Sequence, residues 1–403
     1  MSKKFIIILI AVCVLILFAF GYYFLSKNSA DNGNNNPSVF RNFFPFGGAT
    51  QPTPIQVTPE KPMEVPHPAE ENYNKKLRKL STVPVSGAGT MDTKNGTVVR
   101  YIEKATGHIY EIELFSPKKD RISNTTIPLP YDAIWGNANK SLIVRYLKED
   151  NKTVDTYSLT LKNTATTTEN TISGTAFPAG IDDVSIAGNI VFYLVPNQNG
   201  STGYTSNIDG SKKKQIWSSP IRELLSQFVN STTVALTTKP DSNSDGFLYT
   251  VNTGTGQVKK IMGNIPELST LMSSDGAKVL YTSNGEGMTV YNVSDRTSVT
   301  INPGTFPEKC IWSKKTKTIL YCAVPKETLA SNALISWYMG TMQFTDDIWK
   351  YDTKANKSII VDNLYEDSGE NIDVIKPILS ENEQYLVFIN KRDGNLWSLD
   401  LSK

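Results

Sequence analysis

"LMSSDGAKVLYTSNGEGMTVYNVS", residues 271–294, carries the pattern that decides the fold. A turn of small and acidic residues leads into a β-branched and aromatic strand, "AKVLYTS". A second strand, "VYNVS", then reads hydrophobic–aromatic–x–hydrophobic–polar. Short runs of this composition, bounded by turn residues, read as paired strands. The second half returns as "IYEIE" (109–113), "TYSLT" (156–160), "GYTSN" (203–207), "LYTVN" (248–252), "IWKYD" (348–352) and "LWSLD" (396–400). Its aromatic stands at Tyr110, Tyr157, Tyr204, Tyr249, Tyr291, Trp349 and Trp397, at intervals of 47, 47, 45, 42, 58 and 48 residues. A period of about 45 residues carrying four short strands is that of a β-propeller blade. Seven copies predict an all-β, seven-bladed β-propeller over residues 75–403, with one insertion in its long interval. The aromatic column is expected to fill the space between neighbouring sheets.

The seventh copy supplies three strands, near 377–380, 384–390 and 394–401, so its fourth must come from elsewhere. "KKLRKLSTVPVSG" (75–87) has the form of "KKKQIWSSPIREL" (212–224) and "QVKKIMGNIPELS" (257–269): basic residues, a hydrophobic pair, a gap, then a hydrophobic–Pro step. It reads as an outer strand that pairs with the strand of Trp397 and closes the ring, which removes an open sheet edge.

With the strands placed, residues 271–294 and "ILSENEQYLVFINKRDGNLWSLDL" (378–401) resemble TolB-type, WD40-like propeller repeats. Ser274, Asp275 and Gly276 approach that family's Ser-Pro-Asp-Gly turn. The resemblance covers about residues 77–401; it implies the propeller fold and a tendency to bind proteins. Such repeats also form the propeller of prolyl-oligopeptidase-type enzymes. That likeness would require a hydrolase domain after the propeller.

Ahead of the repeats, residues 1–25 place Lys3 and Lys4 before an apolar run of about 20 residues that closes on Tyr22, Tyr23 and Phe24. That length and aromatic flank predict an uncleaved signal anchor, with a cytoplasmic N-terminus and an extracytoplasmic propeller. Residues 26–74, rich in Asn and Pro, predict a disordered linker that favours extended polyproline II. Within it "VFRNFFPFGG" (39–48) holds Phe43, Phe44 and Phe46, candidates for a partner-binding motif or for contact with the bilayer interface.

The net charge of +2 gives a nucleic-acid partner no electrostatic support, and two histidines leave little room for His-dependent catalysis. The chain holds no G-x-S-x-G elbow and no Gly-rich phosphate loop, so an enzyme is not expected. "DSNSDG" (241–246) has the opening of a calcium loop, with Asp241, Asn243 and Asp245 as candidate ligands. Asn252 and Tyr249 stand where such loops need a further acid, and the alternative is a plain hairpin; no other cofactor is expected. Cys310 and Cys322 flank the turn of "CIWSKKTKTILYC", where a hairpin would set them opposite each other, as a disulfide or as two small buried hydrophobes. The insertion "PKETLASNALISWYMGTMQFTD" (325–346) is too apolar for an idle loop. Trp337, Tyr338, Met339 and Phe344 are its candidate partner contacts, the alternative being a structural lid.

The reading is a non-enzymatic, membrane-anchored and monomeric propeller that binds a protein or peptide. Two alternatives stand beside it: a small-ligand or glycan sensor using the channel, and an envelope-spacing element.

Overall fold

The computed structural model describes residues 73–403, apart from 124, 128, 149, 151–152, 164–169 and 285. The expected anchor and nearly all of the linker, with Phe43, Phe44 and Phe46, lie outside the described residues. Among the described residues no helix is long and apolar enough to cross a membrane.

The repeats fold as expected, into seven four-stranded antiparallel sheets. Blades one to six run in chain order over Val85–Ser123, Pro130–Ala176, Asp183–Ser219, Leu224–Pro266, Ser269–Ile301 and Cys310–Asp362. Blade seven combines Val374–Leu379, Tyr385–Asn390 and Leu396–Asp400 with Leu77–Lys79. The first strand of each blade is innermost, where it meets the first strands of its neighbours around the axis. Because all sheets are antiparallel, the ring has two distinct faces. Turns joining strands one to two and three to four make a hairpin face. Turns joining two to three, and the connections between blades, make a crossover face.

Closure is narrower than the sequence reading. Residues 75–87 do not form one strand: only Leu77–Lys79 pair, with Leu77 opposite Leu399 and Lys79 opposite Trp397. Leu80–Pro84 connect onward, and Val85 already begins blade one. A three-residue strand is short, so side chains fasten it. Lys76 pairs with Asp362 of blade six at 3.2 Å. On the other side, the Arg78 guanidinium donates to the carbonyls of Glu113 and Leu114 in blade one, at 3.1 and 3.5 Å. Leu77 is buried with Leu364, Ile372 and Leu399, while Leu80 joins Val85, Val387 and Leu396.

Three rings of the aromatic column join clusters that span two blades. Tyr110 packs against the cluster that holds Val387 and Ile389 of blade seven, Tyr204 against the one that holds Ile143 of blade two, and Trp397 is buried in one with Ala323 and Ile348 of blade six. The cluster of Tyr110 crosses the seam.

The turns after the innermost strands of blades five and seven are one device in different residues. In blade five Asp275 Oδ1 accepts from the Ser273 hydroxyl and the Ala277 amide, at 2.6 and 3.0 Å, and Gly276 takes a φ of 73°. In blade seven Asn382 Oδ1 accepts from the Ser380 hydroxyl and the Gln384 amide, at 2.7 and 2.9 Å. Glu383 there occupies the glycine position at a φ of 55°. Left-handed backbone is unfavourable for glutamate. Its carboxylate gains the amides of Lys314 and Lys315, at 2.7 and 2.9 Å, and so ties blade seven to blade six.

Candidate functional site

The long insertion leaves blade six after Pro325 and returns at Asp346, on the crossover face. It folds as a lid built on a short helix, Ala333–Tyr338. Ala333, Leu334, Trp337 and Phe344 bury themselves around Phe306 of the preceding connection. The ring centroids of Phe306 and Trp337 stand 5.9 Å apart.

Beneath the lid lies a charged cluster. Lys309 is fully buried, and its ammonium reaches Asp346 Oδ2 at 2.6 Å and Asp373 Oδ1 at 2.5 Å. The Trp337 indole N–H donates to both Asp373 oxygens at 3.0 Å, and the Phe344 amide donates to Asp373 Oδ2 at 3.1 Å. Asp346 Oδ2 also accepts from the Val374 amide at 2.7 Å, whereas its Oδ1 is buried without a hydrogen-bond partner among the described residues. Burial pushes the Asp346 carboxyl up to about 6, against the opposing pull of Lys309. From above, Lys391 lies over the Trp337 ring, 4.2 Å from its centroid, and donates to the Trp337 carbonyl; burial lowers its pKa. A buried ion cluster is costly to desolvate and holds only when its hydrogen bonds are made, which makes it a device for fixing one arrangement.

This geometry corrects part of the sequence reading. Trp337 is 4% exposed and Phe344 2%, so neither offers a contact to a partner. Both point inward because their neighbours Asp373 and Phe306 lie there, on connections the repeat pattern does not mark. Tyr338 and Met339 do face solvent, 42% and 67% exposed. The Tyr338 ring is outward while its hydroxyl donates inward to Glu308, which also accepts from the Ser269 hydroxyl at 2.6 Å. Burial raises the Glu308 pKa. Lys309 was not legible as a site residue, because nothing in the sequence distinguishes a buried lysine from a surface one.

Tyr338 and Met339 are not the only large hydrophobics that face solvent. Among the described residues eleven large hydrophobics are exposed. Seven of them, including Leu129, Leu147, Tyr338, Met339 and Tyr365, sit on or at the edge of the crossover face. The remaining four lie on outermost strands; Val258 and Val299 stand at the ends that adjoin the hairpin face, Ile359 and Ile360 further along theirs.

The channel holds a cavity of about 520 Å³, set against blades one, two and seven. Gly87 and Gly89 let blades one and two approach closely, since a Cβ at Gly87 would stand 1.9 Å from the Ala133 carbonyl oxygen. Lys376, at a bulge in the innermost strand of blade seven, pairs across the cavity with Asp132. Trp135 also lines it, and its indole N–H is buried without a hydrogen-bond partner among the described residues.

The remaining candidates fall elsewhere. Cys310 and Cys322 are cross-strand partners joined in a disulfide, with a Cα separation of 4.0 Å. Asp241, Asn243 and Asp245 are exposed on a crossover-face turn, where Asp241 Oδ1 accepts from the Asn243 amide at 2.6 Å. Among the described residues no group of three or more His, Cys, Asp or Glu side chains is arranged to hold a metal ion. No protein-family model matches the chain, and no curated protein is similar to it.

Proposed function

We propose that the protein is a non-enzymatic propeller, held to a membrane by residues 1–25, that docks another protein on its crossover face. The observation that carries this reading is the excess of exposed large hydrophobics on the crossover face, seven of eleven among the described residues, with Tyr338 and Met339 on the lid. Exposed apolar patches on soluble folds mark interaction sites, and Tyr and Met adapt well to a partner surface. The resemblance to TolB-type repeats supports the same class of function. The test is a photo-crosslinking residue placed at Met339 or Leu129, with Ala355 on the hairpin face as control, in cells making the full chain. One discrete protein adduct from the first two positions and none from Ala355 is expected. Equal adducts from both faces, or none from Met339 and Leu129, would end the proposal.

A second reading has its own support. The channel cavity with its unpartnered Trp135 indole suits a small ligand bearing a hydrogen-bond acceptor. Trp135→Phe should abolish such binding while leaving crosslinking at Met339 unchanged.

A further inference from the structure

The net charge of +2 conceals a separation of charge between the two faces. Among the described residues, the turns of the hairpin face and the adjoining chain ends carry eleven exposed Lys and Arg against four exposed Asp and Glu. The turns and connections of the crossover face carry five against seven. Lys94, Lys140, Lys314 and Lys354, on blades one, two and six, are exposed and form no salt bridge within the described residues. Lys75 stands on the same face, where the described chain enters, and the Lys403 ammonium donates to the Asn74 carbonyl beside it at 2.8 Å.

We propose that the hairpin face lies against an anionic phospholipid surface; the proposal rests on the membrane-anchored reading above. Three features point to a bilayer over a pocket-bound anion. The basic turns are spread around a ring and not gathered in a groove, which suits a flat partner. Among the described residues the turns of this face expose no large hydrophobic, so attraction is electrostatic and reversible, without insertion. The described chain enters the propeller on this face, so the tether of the membrane-anchored reading attaches on the basic side. Lysines within a Debye length of an anionic leaflet each add appreciable attraction. The apolar crossover face then points away from the membrane, toward its partner.

The full chain, with Cys13→Ser, is reconstituted into vesicles of phosphatidylcholine with or without phosphatidylserine. It carries a fluorophore at Ala355→Cys or at Met339→Cys, and spin-labelled lipid headgroups serve as quencher. The Ala355 probe should be quenched in phosphatidylserine vesicles at low salt, released at high salt, and unquenched in phosphatidylcholine alone. The Met339 probe should stay unquenched throughout. K94E, K140E, K314E and K354E together should remove the quenching. The corresponding glutamines should weaken surface association by about fivefold per lysine replaced. Equal quenching at Ala355 in both lipids, or at both probes, overturns the proposal. So does tight binding to soluble polyglutamate without a response to phosphatidylserine, which would make this a polymer-binding face. Flotation with phosphatidylcholine vesicles reports the anchor separately: a chain that fails to float defeats the anchored reading, and one that floats unquenched defeats only this inference.

Discussion

Replacing Trp337 by Phe removes the side-chain hydrogen bonds that Trp337 gives the lid while keeping part of its packing. Phenylalanine retains a six-membered ring beside Phe306 but loses the indole N–H, which donates to both oxygens of Asp373 at 3.0 Å, together with the pyrrole half of the bicycle. Losing a hydrogen bond to a buried carboxylate costs about 2 kcal/mol. Trp337→Ala would in addition leave a cavity, and large-to-small changes of this kind cost about 3–5 kcal/mol. The lid is an addition to blade six, so the loss should appear first as local opening. Hydrogen exchange reads that directly, because the Phe344 amide donates to Asp373 and the Val374 amide to Asp346. A loss of about 2 kcal/mol corresponds to roughly thirtyfold faster exchange at these amides. Strand amides of blades two and three should not change. If Phe344 exchanges at the same rate in Trp337→Phe and the wild type, the cluster does not hold the lid, and packing around Phe306 does.

The raised Asp346 pKa sets the sign of a pH response. The folded chain keeps a proton below about pH 6 that the unfolded chain releases down to its ordinary carboxylate range, so stability should rise as pH falls from 7.5 to 5.5. Asp183, Glu267 and Glu308, all raised by burial, act in the same direction, and Asp346→Asn should flatten the denaturation midpoints. Reducing the Cys310–Cys322 disulfide, whose ends lie 12 residues apart, should cost about 3 kcal/mol by loop-closure entropy, read from denaturant curves with and without reductant. Deleting the chain up to and including Leu80 should open the ring while leaving the strands of blade one whole, and a chain so shortened that melted like the intact one would contradict the seam. Ala138 stands between Asn137 and Asn139 with all three at positive φ, so Ala138→Gly should raise stability by up to about 1 kcal/mol in the same assay.

What was legible in the sequence followed from local chemistry repeated many times. Seven aromatics at a near-constant period marked seven sheets, and the pairing of the N-terminal strand with that of Trp397 followed from strand form. The turn of blade seven was harder to see, because Glu383 occupies a glycine position for the sake of contacts with blade six. The lid was misread for a related reason. Trp337 and Phe344 are the residues a partner would favour, yet they are buried with Lys309 and Asp373, which lie 28 and 36 residues from Trp337 in sequence and reveal nothing by spacing. Charge sidedness escaped notice because net charge sums over both faces.

The seam also orders the making of the protein in time. Leu77 is synthesised early, but its strand partner Leu399 is added 322 residues later. Joining the ends of an open coil of that length costs several kcal/mol in entropy, so the pairing is unfavourable while the intervening chain is unfolded. Once blades one to six have stacked, their curvature brings the two ends together and most of that cost has already been met. Blade seven should therefore form last, a step of high contact order after six of low contact order. Until then Leu77–Lys79 is an unpaired strand looking for an edge. At high concentration the nearest edge can belong to another chain, which makes strand exchange between two rings the characteristic misfolding of this protein.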